Sequence, residues 1–363
     1  MIRNKNMFAE KEVGRRDFLK LSTKLATVLG LSPVLIPDIS HALQSNEKPA
    51  VIWLHFQECT GCTETLLRAE GPDLASLILD IISLEYHETL FAAAGHQIEE
   101  QLHSAMKRYA GKYVLVVEGA IPTKENGNYC TIAGRTAIEI LKEAAAQCAA
   151  IIAIGSCASW GGIPSSGPNP TGAVGVGSII KDKPIVTIPG CPPNPHNFLS
   201  TVVHFLTFKK LPKLDELGRP TFAYGTLIHD QCERRAHFDA QRFAHEYGDE
   251  GHRRGYCLYK LGCKGPSTHG NCPEIGFNAE KKWPVSIGHP CFGCIEKKVG
   301  FNVPMHDLSV VLNPHAPQVY ATIEEPGNKD ASLIAAGAVG VAAGAAVTAV
   351  AMKAKKLPGS EEG

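Results

Sequence analysis

An α/β fold is predicted by this 363-residue sequence: a doubly wound parallel sheet, then an irregular cysteine-rich domain, then one apolar C-terminal helix. Short apolar runs alternate with helical patterns over the first half, and three of those runs lead straight into cysteine-bearing loops. After about His204 the character changes, with Gly, Pro, His and Cys frequent and helical periodicity short. Near the end, residues 332–352 carry no charge.

At the N-terminus, Gly14-Arg15-Arg16-Asp17-Phe18-Leu19-Lys20 is a twin-arginine pattern, followed by a mildly apolar stretch over 21–36 and by small residues at Ser40-His41-Ala42. Residues 1–42 are therefore expected to be a twin-arginine signal peptide, with the mature chain starting at Leu43. Ala50-Val51-Ile52-Trp53-Leu54-His55-Phe56 and Tyr113-Val114-Leu115-Val116-Val117 read as strands buried on both faces, since such strands give near-continuous apolar runs. Ala149-Ala150-Ile151-Ile152-Ala153-Ile154 runs into Gly155-Ser156-Cys157, and Pro184-Ile185-Val186-Thr187-Ile188 into Pro189-Gly190-Cys191. Helical patterns over 74–82, 98–109 and 135–146 fill the gaps. In such sheets ligands sit beyond the carboxyl ends of the strands, so cysteines distant in sequence can meet there.

Residues 332–352 are rich in Ala, Gly and Val, and a helix of that length reaches roughly the 30 Å thickness of a bilayer core. Lys353, Lys355 and Lys356 follow, so the positive-inside rule makes 353–363 a cytoplasmic tail and puts the body on the periplasmic side, in agreement with the export signal. Ala336, Gly340 and Gly344 form one small-residue face on which another transmembrane helix could pack; residues 321–331 read as a linker. Between the ends lie roughly 290 residues, about right for two domains. Lys plus Arg equals Asp plus Glu at 36 each, with no long basic stripe, which argues against nucleic acid as a partner.

Eleven residues fall into three ligand-like groups: Cys59, Cys62, Cys157 and Cys191; His229, Cys232, Cys257 and Cys263; and Cys272, Cys291 and Cys294. They use ten of the twelve cysteines. The paired-pair spacing of a zinc ribbon is absent, and thiolates already bound to metal cannot form disulfides, which removes the other competing reading for an exported chain. Sulfur-ligated iron is redox active where zinc is not, so the pattern reads as a wire for single electrons. Twin-arginine export carries folded proteins, which suits clusters inserted before the chain leaves the cytoplasm. With few long apolar runs after His204, the clusters supply much of that domain's core, and it is expected to collapse without iron.

Cys130 and Cys148 match no ligand pattern and read as small buried hydrophobes. Gly172, Gly175 and Gly177 lack the lysine of a phosphate loop and read as structural. His87, His96 and His196 default to packing or surface roles, with His196 close behind the Cys191 motif.

Five motifs in order now carry a resemblance: Glu58-Cys59-Thr60-Gly61-Cys62-Thr63-Glu64, Gly155-Ser156-Cys157, Gly190-Cys191-Pro192-Pro193-Asn194-Pro195, Cys257-Leu258-Tyr259-Lys260-Leu261-Gly262-Cys263-Lys264-Gly265-Pro266 and His289-Pro290-Cys291-Phe292-Gly293-Cys294. Over almost the whole chain, the sequence resembles the small subunit of nickel–iron hydrogenases, most of all the membrane-associated uptake group. The cluster-bearing subunit of respiratory complex I is a more distant likeness that lacks the second domain.

The resemblance implies a flavodoxin-like domain over 43–203 and an iron–sulfur domain over 204–320. It implies a large-subunit partner bearing the nickel–iron centre, as a heterodimer or a dimer of heterodimers, and a membrane cytochrome or quinone-reactive subunit as acceptor. The catalytic residues belong to the partner. Carried over, Cys59, Cys62, Cys157 and Cys191 hold a proximal 4Fe-4S cluster, Cys272, Cys291 and Cys294 a medial 3Fe-4S cluster, and His229, Cys232, Cys257 and Cys263 a distal 4Fe-4S cluster. Pro284 stands where relatives with a four-iron medial cluster have cysteine, and Gly61 and Gly162 stand where some oxygen-tolerant relatives have two more. An ordinary proximal cluster and an oxygen-sensitive enzyme are the expectation.

Overall fold

The computed structural model describes residues 22–23, 26–27, 33–43, 48–69, 77, 81–277 and 282–321. Its centre is a five-stranded sheet of β1 (Ala50–His55), β2 (Ser83–His87), β3 (Val114–Glu118), β6 (Ala150–Ile154) and β7 (Ile185–Ile188), in the order β2-β1-β3-β6-β7. Every pairing is parallel, with Val51 opposite Val114 and Leu115 opposite Ile151. The strands β4 (Thr131–Ile132) and β5 (Arg135–Thr136) form a separate two-stranded ribbon.

Alternate residues of each strand enter opposite apolar layers. Val51, Trp53, Val116, Ile152 and Ile188 meet Phe198, Leu199 and Val203 of the helix Pro195–Phe208. Ile52, Leu54, Leu115, Val117 and Ile151 meet Leu102 and Met106 of the helix His96–Arg108 and Ile140 and Leu141 of the helix Ala137–Gln147. Phe198 is 0 % exposed, so truncation to alanine would cost about 3–5 kcal/mol. The helix Ala137–Gln147 begins in a capping box, in which Thr136 and Glu139 satisfy each other's backbone amides. Asn194 caps the helix Pro195–Phe208 by accepting from the His196 amide at 2.8 Å, with Pro195 pre-set in the first turn.

The four strands expected from sequence are present, and β2 is an addition at the sheet edge. Of the expected helices, 98–109 is found as His96–Arg108 and 135–146 as Ala137–Gln147, while 74–82 lies mostly outside the described residues. After the helix Pro195–Phe208 no described helix exceeds five residues, that of Arg235–Asp239. This half is held by side chains reaching for backbone. Arg219, 4 % exposed, donates to Asp215, to Glu296 and to the Ile295 carbonyl, tying residues 76 positions apart.

The twin-arginine pattern at 14–20 and the apolar segment 332–352 lie outside the described residues. Among those described, no helix is long and apolar enough to cross a membrane. The helix Ile36–Leu43 runs across the expected cleavage point, and Ile39, 0 % exposed, enters the same apolar cluster as Phe198.

Candidate metal centres

Three loops deliver the first sulfur set to one place. β1 ends at His55 and the chain continues through Cys59 into the helix Gly61–Leu67, which carries Cys62; β6 leads into Gly155 and Cys157; β7 leads into Gly190 and Cys191. All three lie beyond the carboxyl ends of strands, where a doubly wound sheet presents its ligands. Burial pushes the Cys62 thiol well up, and Glu118, Cys157, Cys191 and Cys59 push it further, so the four thiols share one locus. Cys157 is pushed up to about 12 by burial, with Cys191 and Cys59 among the charges adding to it. Thiols crowded in this way become stable as thiolates only against positive charge, which fits an iron–sulfur centre. Gly155 is required here: at φ +81° it occupies the left-handed region, and a Cβ would stand 2.4 Å from Cys62 Sγ.

Glu118 closes β3 beneath this loop and is 1 % exposed. Its carboxylate accepts from the Cys62 amide at 3.0 Å, the Thr63 amide at 3.3 Å, the Thr63 hydroxyl at 2.6 Å and Trp53 Nε1 at 3.2 Å. A negative group is thereby buried at a helix N-terminus, where free amides favour it. His55 Nδ1 lies 3.5 Å from Glu58 and 3.8 Å from Glu118. Behind them His87 is lowered to about 3 by burial, with His55 adding to the shift. The Thr89 amide donates to His87 Nδ1 at 3.3 Å, which leaves the proton of the neutral ring on Nε2, 3.3 Å from Thr63 Oγ1.

The second set is Cys272, Cys291 and Cys294. Cys272 opens the short helix Cys272–Ile275, and Gly293, at φ +74°, turns the Cys291–Cys294 loop back. Burial pushes the Cys291 thiol well up, and Cys263, Cys272 and Cys294 add to the effect. Cys272 is pushed up to about 12 by burial, and Cys294 is raised by burial, then by Cys272 and Cys191. Cys294 therefore senses both its own set and the first.

The third set lines one cavity: His229, Cys232, Cys257 and Cys263, walled by apolar side chains including Ile228 and Trp283. His229 is 4 % exposed and its Nε2 has no hydrogen-bond partner. Burial, then Arg235, lowers it to about 4, so the imidazole is neutral and its unpartnered Nε2 shares the cavity with three thiols. That orphaned nitrogen fits a metal ligand. Cys263 Sγ accepts from the Cys291 amide at 3.3 Å, joining the third set to the second.

Cys130 and Cys148 stay apart from all three sets, each pushed up to about 11 by burial, and Cys148 donates to the Ala145 carbonyl. Gly172 and Gly175 press against Thr123 and Ser159, as structural loops do. Gly61 and Gly162 both abut the first set, a Cβ on them falling 3.1 Å from Cys59 Sγ and 2.7 Å from Cys157 Sγ. Sequence reasoning missed Glu118; the signal available was a charged residue closing an otherwise apolar, buried strand.

Sulfur sets joined end to end, the first in the crevice of a parallel sheet, define an iron–sulfur electron-transfer protein. A family profile described as NADH ubiquinone oxidoreductase, 20 Kd subunit, matches residues 59–205, and one for the C-terminal part of the NiFe/NiFeSe hydrogenase small subunit matches 224–306. The Hydrogenase-2 small chain of Escherichia coli (strain K12) is 53 % identical over 343 residues, 93 % of this chain and 92 % of that one. The quinone-reactive Ni/Fe-hydrogenase small chain of Wolinella succinogenes is 45 % identical, covering 94 % and 98 %. A solved structure of a reduced, active Ni-Fe-Se hydrogenase from Desulfomicrobium baculatum superposes with TM-score 0.68 at 34 % identity, over 72 % of this chain and 100 % of that one.

The chain belongs to the nickel–iron hydrogenase small subunits. It is the electron-transfer subunit of a hydrogenase, a family that binds iron–sulfur clusters and works with a large subunit.

Proposed function

We propose that this subunit serves a membrane-associated uptake hydrogenase, taking electrons from hydrogen oxidation at the nickel–iron centre of the large subunit and passing them through three clusters to a membrane-linked acceptor. In this reading Cys59, Cys62, Cys157 and Cys191 hold a proximal 4Fe-4S cluster. Cys272, Cys291 and Cys294 hold a medial 3Fe-4S cluster, with Pro284 in place of a fourth thiolate. His229, Cys232, Cys257 and Cys263 hold a distal 4Fe-4S cluster. When bound, such clusters carry single electrons.

The observation that supports this order is the pair of junctions between sets. Cys191 and Cys294 interact across the first, and the Cys291 amide bonds Cys263 Sγ across the second. Cys59 is exposed, as entry from a docked large subunit requires, and the His229 end is the exit. A neutral imidazole in place of an anionic thiolate raises the potential of a centre, which suits the last station. Gly61 and Gly162 leave hydrogen atoms where extra thiols would touch the proximal ligands, which supports an ordinary proximal cluster and an oxygen-sensitive enzyme.

Export by the twin-arginine route from residues 1–42, a sheet domain over 43–203, a cluster domain over 204–320 and a membrane anchor over 332–352 complete the arrangement. The body then lies on the periplasmic side and hands electrons to a cytochrome or quinone-reactive subunit. The quinone-reactive name of the Wolinella relative supports such an acceptor.

Purification of the native complex from membranes under anaerobic conditions tests this. Nickel, iron and acid-labile sulfide in a stoichiometric heterodimer, hydrogen-dependent dye reduction, and three-iron and four-iron resonance signals are expected. A complex lacking iron, or recovered only from the soluble fraction, would overturn it.

A further inference from the structure

Lys264 is 1 % exposed and among the largest fully buried side chains. Its ammonium donates to the carbonyls of Gly262 at 2.9 Å, Pro304 at 2.9 Å and Met305 at 3.2 Å, and to that of Asp307. All four partners only accept, so the group must be a donor throughout, which is the ammonium form. Its own amide bonds the Cys291 carbonyl at 2.7 Å, and it follows Cys263 directly. The residue therefore sits at the joint between the second and third sulfur sets. The negative groups that face it are Asp307, Cys263 and Cys291.

Arg235 and Arg219 are also buried cations of this half, and both are neutralised. Arg235, 1 % exposed, has Asp230 at 3.1 Å and Asp239 at 3.0 Å, and Arg219 has Asp215 at 2.7 Å and Glu296 at 3.2 Å. Lys264 is held instead by carbonyl dipoles, with the exposed Asp307 as its nearby carboxylate. A charge screened by dipoles keeps its long-range field where one matched by carboxylates does not.

We propose that Lys264 is a positioning residue whose fixed positive charge raises the reduction potentials of the medial and distal centres together. Adding an electron to either cluster places negative charge near the ammonium, so the reduced form gains more than the oxidised form. The backbone bond to Cys291 also fixes the spacing of the two ligand loops. The inference rests on the cluster assignment above.

Anaerobic redox titration of the assembled heterodimer, followed by electron paramagnetic resonance, tests it. Lys264→Gln keeps donors but removes charge; the medial and distal midpoints are expected to fall while the proximal one holds. Lys264→Arg should restore them, and Asp307→Asn should move them slightly upward. Unchanged midpoints in Lys264→Gln at full signal intensity would overturn the inference, as would an equal fall in Lys264→Arg, which would assign packing alone. If Lys264→Gln fails to assemble, Lys264→Met decides: it likewise removes the charge, and unchanged midpoints at full signal intensity would count against the inference. A wild-type complex without a three-iron signal would instead refute the cluster assignment itself.

Discussion

The Ser156 hydroxyl donates a 2.6 Å hydrogen bond to the Cys294 carbonyl, 138 residues away, while accepting from the Gly190 amide at 3.1 Å. One side chain thus ties the loops of Cys157, Cys191 and Cys294 at the junction of sheet domain and cluster domain. Ser156 is 1 % exposed. In Ser156→Ala a buried amide and a buried carbonyl both lose their partner, and stability should fall by about 1–3 kcal/mol. Thermal unfolding of the heterodimer measures this, and an unshifted midpoint would show that the tie is not needed.

Glu118 anchors the first CxxC loop through four donors. Glu118→Gln puts an amide NH2 against groups that donate, and hydrogen bonds to a charged acceptor are worth about 1.5–3 kcal/mol each. The expected result is a lower urea midpoint and loss of iron from the proximal centre before the others. Iron quantified during stepwise chelation checks it; equal rates of loss in wild type and variant would remove Glu118 from this role.

His87 gives the sheet domain a pH dependence of defined sign. Its folded pKa, about 3, lies below the ordinary 6.5, so the unfolded chain binds the proton first as pH drops. The contribution is intact above 6.5 and is lost progressively as pH falls from 6.5 toward 3, at about 1.4 kcal/mol per unit crossed. His87→Gln should flatten that part of the stability profile. Melting curves from about pH 7 to about pH 5 supply the comparison, and parallel slopes would rule His87 out.

Pro284 opens the turn Val285–Ile287, between the buried Trp283 and Val285. Pro284→Cys offers a fourth thiolate to the medial site, so the three-iron signal should vanish, iron per heterodimer should rise by one, and the medial potential should drop. Retention of the three-iron signal with unchanged iron would mean the ligand assignment is wrong.

How much was legible in the sequence depended on where each group's partners lie. β1, β3, β6 and β7 could be read because burial on both faces makes continuous apolar runs. β2 could not: at the edge, half-buried and interrupted by Glu85, it has no such run. The sulfur sets were visible through CxxC spacing, whereas Glu118 answers to Trp53 and Thr63, 65 and 55 residues away, and no local pattern records that. Lys264 likewise looks in sequence like one more surface lysine beside a cysteine. Only folding brings Pro304, 40 residues on, over its ammonium. The order of the sets along the molecule was also invisible, since spacing within a set says nothing about which sets touch.

The final described stretch, residues 301–321, has neither helix nor strand, yet it is moored. Lys264 grips it at Pro304, Met305 and Asp307, and Arg235 grips it at Asn313 and at His315, the latter at 2.6 Å. Tyr320 moors it once more, its hydroxyl donating to Asp239 at 3.0 Å. With a proposed anchor starting at Ser332, the chain from Tyr320 could span at most about 43 Å if taut. In the proposed arrangement that tether holds the His229 end near the bilayer, and a pull from the membrane reaches Asp239 and its ion-pair partner Arg235, the imidazole's neighbour, before it reaches the sheet.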